Sequence, residues 1–312
     1  MGGDRGAGSV EDTATGDDRP AYASAFTVAD RTAAWGQRLH LRLTRVELLL
    51  FIGAAAASFI PGGGRGYDLG GVIATVLFAS TLAVRTYRTT TRPNIVWQEA
   101  RAAAESIKTL CWRYAVGSKL FPVAMDAAEA DRLFVERLRE ILGGLRNLPS
   151  IRTEVTGQVQ VTPWMRSLRA APLERRRATF DRARLEDQQQ WYAARTALNT
   201  RLLWRWHLIV IGLEFLGVVA GTLKALDVIE LSVGKGDLVG LVATLGAAAS
   251  AWAQTRQYVT LSAAYTIADE ELSAIRTLLP HVSGEVEWEE FVDSAEAAIS
   301  REHTMWRASR ST

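Results

Sequence analysis

The first residue able to do chemistry is an acid where acids are costly. Glu214, in "IGLEFLG", sits well inside the apolar run 208–223. A carboxylate at the centre of a membrane helix costs about 2.5–3.5 kcal/mol on an insertion scale, so it turns to a cavity, a partner or a subunit interface. In a ring of copies it would line a pore and attract cations. The plainer readings are placement at the interface or pairing with a base such as Arg45. Glu47, next to Arg45 near the end of its own apolar run, reads as an interfacial salt bridge. A second group is Arg101, Glu105 and Lys108, at i, i+4 and i+7, with Trp97 before them and Trp112 after. That spacing lets Glu105 pair with either base. Exposed pairs contribute only about 0.3–0.5 kcal/mol, which is a thin reason for their presence. The group reads either as a clamp between helices beneath a membrane or as a solvated face.

Other chemistry is poorly represented. The four histidines (His40, His207, His281, His303) have no metal-ligand spacing. Cys111, the single cysteine, lies between Leu110 and Trp112 and reads as packed rather than reactive. "PGGGRG" at 61–66 lacks the GK[ST] ending of a phosphate loop. No nucleophile, base and orienting group occur together, so enzyme activity, a metal or a cofactor is not expected. A net charge of +2 gives no electrostatic footprint for nucleic acid. The 36 basic residues are 32 Arg and four Lys, which with so much Ala reads as a GC-rich bacterial genome.

The elements that must carry these residues show in the charge pattern. Charge nearly vanishes from "VELLLFIGAAAASFI" (46–60), "LGGVIATVLFASTLAV" (69–84), "LIVIGLEFLGVVAGTL" (208–223) and "LVGLVATLGAAASAWA" (238–253). Each is a little shorter than the roughly 20 residues of a spanning helix. Leu41, Leu43, Trp204 and Trp206 extend two of them. They are apolar all round, as membrane spans are and amphipathic soluble helices are not. Within them Gly53, Ala57, Gly246 and Ser250 belong to small-residue patches that let helices approach closely. Each pair of stretches is split by a short loop and followed by an amphipathic helix. "WQEARAAAESIKTL" at 97–110 has a weaker copy in "YTIADEELSAIRTL" at 265–278, 168 residues on. The repeated unit is therefore a membrane hairpin followed by a helix. Eleven Arg flank the hairpin bases, against three basic residues (Arg65, Lys224, Lys235) in the short loops. The positive-inside rule then puts both termini and the middle region in the cytosol.

The chain divides into a disordered tail at 1–28, a first unit at 29–150, a connector at 151–171, a second unit at 172–280 and a C-terminal amphipathic helix at 281–312. Pro93 separates the second span from the helix after it. Asp126 with Glu129 starts another helix, and Gly143-Gly144 ends it. The alternating β-branched residues of 150–162 suggest a short strand or a loop, and Thr162-Pro163 opens a short helix. From Pro172 a helical pattern runs without Pro or Gly into the third stretch. Trp288, Phe291, Val292, Ala295 and Ile299 share one helix face.

The segment "TRPNIVWQEARAAAESIKTLCWRYAV" resembles the SLATT superfamily, bacterial two-transmembrane effector domains associated with nucleotide-signalled defence. The likeness runs over roughly residues 30–305 and is strengthened by the paired hairpins. It implies an oligomer in the cytoplasmic membrane that opens a pore when triggered, with a separate sensor or signalling protein as partner. The chain departs in having no nucleotide-binding fingerprint of its own. Its expected form is an all-α polytopic membrane protein of two hairpin-plus-helix units. The alternatives are a non-conducting scaffold that recruits a cytosolic partner and a housekeeping ion channel.

Overall fold

The computed structural model describes residues 19–60, 68–145, 148–226, 232–233 and 236–308. The architecture is two helical hairpins standing on a shared helical body. The first unit is α1 (Ser24–Ala57), α2 (Leu69–Thr91) and α3 (Pro93–Val116). The second is α8 (Asp187–Ala225), α9 (Leu238–Arg256) and α10 (Tyr258–Arg276). Between them lie α4 (Ala127–Gly143), α5 (Pro149–Val155), α6 (Pro163–Arg169) and α7 (Leu173–Phe180), and α11 (Glu285–Ala308) closes the chain. The described strands are a two-residue pair, Ser232–Val233 with Gly236–Asp237, between α8 and α9.

Both hairpins leave their second span through the same backbone device. Arg92 (φ 44°) separates α2 from α3, and Gln257 (φ 50°) separates α9 from α10. A non-glycine residue in the left-handed region is uncommon, and here it turns the chain while the flanking helices stay intact. Pro93 takes the first position of α3, where its missing N–H costs nothing. Trp97 comes five residues after its break and Tyr265 eight after its own, so α10 carries about one extra turn.

Among the described residues, three helical runs are long and apolar enough to cross a membrane: Leu69–Val116, Leu173–Ala225 and Leu238–His281. The first apolar stretch is the exception among the four expected. Arg42, Arg45 and Glu47 lie within the last 18 residues of α1, leaving the charge-poor run from Leu48 to Ala57. It packs on α2 through Gly70, where a Cβ would sit 2.5 Å from the Ala57 carbonyl oxygen.

The core lies below the spans. α3 runs through its centre and buries Ile107, Cys111, Trp112 and Tyr114 among α1, α4, α6, α7 and α11. α11 packs Trp288, Phe291, Val292, Ala295 and Ile299 into the same core. The spans themselves bury little within one chain, as surfaces made for lipid or other copies do.

Two segments differ from the sequence reading. α1 begins at Ser24 with Ala25 and Val28 buried, inside the segment expected as a disordered tail; residues 1–18 of that tail lie outside the described residues. The stretch 150–162 forms no strand, because Pro149 starts the helix α5 and Gly157 (φ 80°) then turns the chain. The loop at 61–67 and residues 227–231 and 234–235 of the 224–237 loop also lie outside the described residues. The long helix from α7 into α8 is continuous but carries a π turn, Asp181–Glu186.

Candidate functional site

The charged face of α3 points inward. Trp97 stacks on His40 of α1, ring centroids 6.4 Å apart. The helices come this close at Gly36, where a Cβ would lie 2.8 Å from the Trp97 amide nitrogen. Arg101 Nη2 pairs with Glu105 Oε1 at 2.6 Å, and Nη1 reaches Asp30 of α1 at 3.8 Å. Glu105 is buried. Lys108 instead sets its ammonium over the Tyr22 ring, 5.7 Å from the centroid. Burial, followed by the nearby Arg184 charge, holds that ammonium below the usual lysine range. Trp112 is fully buried and donates from Nε1 to the Tyr22 hydroxyl at 3.2 Å. Its ring meets Trp164 of α6 and Phe180 of α7 edge-on at 5.3 and 5.6 Å. Burial pushes the Tyr22 hydroxyl up to about 12. The five residues thus touch α1, α6, α7 and the segment before α1.

Deeper in the same core is an ion pair that the sequence reading missed. Arg184, on the π turn, is 1% exposed at its side chain, and Glu296 of α11 is 0% exposed. The guanidinium donates from Nε and Nη2 to the two carboxylate oxygens at 2.8 and 2.7 Å. The Thr109 hydroxyl adds a bond to Glu296 Oε2 at 2.8 Å. Burial opposes the Arg184 charge, but Glu296 more than offsets it and raises the pKa. The π turn supplies the register: its wider winding adds a residue per turn and brings both Arg184 and Leu185 inside. The legible signal was Glu296 itself, an acid among the apolar residues Val292, Ala295 and Ile299.

Two further arginines close the end of α3, whose last carbonyls have no intrahelical donors. Arg176 donates to the Val116 carbonyl at 2.7 Å and Arg169 to the Tyr114 carbonyl at 3.4 Å, while also bonding the Phe121 carbonyl in the loop beyond at 2.8 Å. Trp288 Nε1 also donates to Val116, at 2.7 Å. Cys111 is buried in the same core, and burial pushes its thiol up to about 12.

In the spans, Glu214 is exposed on α8 rather than turned toward α9 or α1. It does not meet Arg45, whose guanidinium stacks on Trp252 at 4.8 Å. Glu47 is buried and pairs with Arg88 at 2.8 Å and Arg85 at 3.5 Å, both on α2. Arg45 is the wrong partner for it because residues two apart on a helix do not share a face. Gly53 faces Leu77 of α2, and Gly246 faces Leu213 of α8. Ala57 is buried against Gly70, and Ser250 is half-buried. Among the described residues no group of His, Cys, Asp or Glu is arranged to hold a metal ion.

Comparison with known proteins bears on the chain as a whole. No curated protein and no solved structure matches it. Two family models do. Residues 24–177 match SMODS and SLOG-associating 2TM effector domain 3, and residues 180–306 match SMODS and SLOG-associating 2TM effector domain 1. The first match ends and the second begins on α7, at the head of the long helix. Neither match indicates a catalytic family. With two such domains end to end over nearly its whole length, this helical membrane protein belongs to the SMODS- and SLOG-associating two-transmembrane effector family as a tandem member.

Proposed function

We propose that the chain is a bacterial membrane effector that assembles with copies of itself and opens a conducting path through the cytoplasmic membrane. The observation that carries this reading is Glu214. An exposed carboxylate in the middle of a spanning helix is unfavourable against lipid by about 2.5–3.5 kcal/mol, whereas water or a neighbouring copy relieves the cost. Its neighbours along that side of α8 are Ile211 and Val218, both well exposed, and Gly221, whose Cβ position is open. A helix of a second copy fits closely there, and a ring of such contacts would place the acids around a shared path. The excess of arginine at the hairpin bases supports a cytosolic position for the helical body and both termini. Harm to the cell would follow once a separate sensor or signalling protein shifts the helices below the membrane.

The contact is tested by disulfide cross-linking in membranes, one introduced cysteine at a time. Val218→Cys should give covalent dimers on oxidation, and Leu216→Cys, on the opposite side of α8, should give few. Equal yields from the two sites, or none from either, contradict the assembly.

A further inference from the structure

We propose that the cavity between the two units, where the helices leave the membrane, binds a phosphate group carried by a lipid headgroup or by a soluble phosphate ester. The cavity measures about 440 Å³ and lies between α1 and α3 on one side and α8, α9 and α10 on the other. That is within the ordinary range for small-ligand sites. Its chemistry is one-sided. Arg101, Arg195 and Arg256 line it, and among the described residues Asp30 is the one acid in its lining.

The state of these arginines points to an anion. Arg101 is already held by Glu105 and Asp30. Among the described residues, Arg195 and Arg256 have no carboxylate within salt-bridge reach. Each lies over an aromatic ring instead: Arg195 over Trp191 at 5.4 Å, and Arg256 over Tyr258 at 5.6 Å, where its Nε donates to the Tyr258 hydroxyl at 3.3 Å and its two Nη groups are left. A stacked guanidinium is fixed in orientation while most of its N–H edge stays available, which suits two-pronged recognition of phosphate.

Placement narrows the source to two. Arg256 ends the last span, and a second cavity of about 720 Å³ adjoins at Thr255 and adds Arg92, at the hinge after α2. This is the level of lipid headgroups, and it is also open to the cytosol in the orientation set out above. Bound phosphate would join the two hinges, Arg92 and Gln257, through the arginines beside them. The site stands whether or not the chain conducts.

The test uses the full chain in a phosphate-free maltoside detergent, titrated separately with inorganic pyrophosphate and with short-chain phosphatidylglycerol. Binding is read as the shift in thermal unfolding midpoint. At least one probe should bind saturably. The double variant Arg195→Gln/Arg256→Gln should weaken it at least about tenfold, as loss of charge-assisted hydrogen bonds implies. Arg132→Gln, which removes an exposed charge on the distant α4, should leave the affinity unchanged. If the double variant does not fold, Arg195→Lys replaces it, keeping the charge and losing the fork; it too should weaken binding. Binding of phosphatidylglycerol alone assigns the site to lipid, of pyrophosphate alone to a soluble ester, and of both to the phosphate itself. Saturable binding of neither, or equal weakening by Arg132→Gln, overturns the proposal.

Discussion

At the residue scale, the Arg184–Glu296 pair places two opposite charges fully inside the core. Removing one charge of such a pair leaves the other unpaired and desolvated, at a cost of about 3–5 kcal/mol. Glu296→Gln should therefore lower the unfolding midpoint sharply, and the apolar pair Arg184→Met/Glu296→Leu should restore much of the loss. A midpoint unchanged by Glu296→Gln would mean that the pair contributes nothing to the fold. Cys111 gives a second prediction. With its thiol pushed up to about 12 by burial, little thiolate exists at pH 8. Maleimide labelling of the native protein should be slower than that of the urea-unfolded chain by more than about a thousandfold, as thiolate fraction and access both require. Comparable rates would show that the core opens readily. Cys111 could be read as packed from its apolar neighbours alone. Arg184 could not, because its burial depends on a helix register that local periodicity does not encode.

At the element scale, the paired hairpins and the helix after each were legible because charge vanishes from the spans and returns at their ends. The left-handed hinges were half legible: Pro93 marks the first, while Gln257 has no proline beside it. The π turn was not legible, since an α-helix and a π turn share the same residue preferences, and only packing decides between them. It has a direct test. A π turn is one extra residue in an α-helix, so deleting Arg182 should convert it to regular helix and swing Arg184 away from Glu296. The deletion variant should then unfold at a midpoint as low as that of Glu296→Gln. A wild-type midpoint would mean that the turn is incidental. The close approaches at Gly36 and Gly70 were missed for a related reason. A glycine in a helix signals nothing until the neighbouring helix is known, and both positions depend on contacts with another helix.

At the scale of the whole molecule, the two repeats divide the work unequally. The helices of the first unit carry the central core, with α3 surrounded by α1, α4, α6, α7 and α11. The second unit presents α8, whose apolar half is almost bare in one chain. α11 packs its apolar face inside its own chain. The membrane surfaces of α2 and α8 are left uncovered, and the one on α8 carries Glu214. Assembly through this surface is proposed to make the membrane leak. The most direct measurement is membrane potential, read with a voltage-sensitive dye, in bacteria expressing the wild-type chain or Glu214→Gln at matched membrane levels. Conduction past Glu214 predicts a fall in potential with the wild type and a smaller fall with Glu214→Gln. A full potential in cells whose membranes hold the wild-type protein would contradict conduction and leave a non-conducting scaffold in its place.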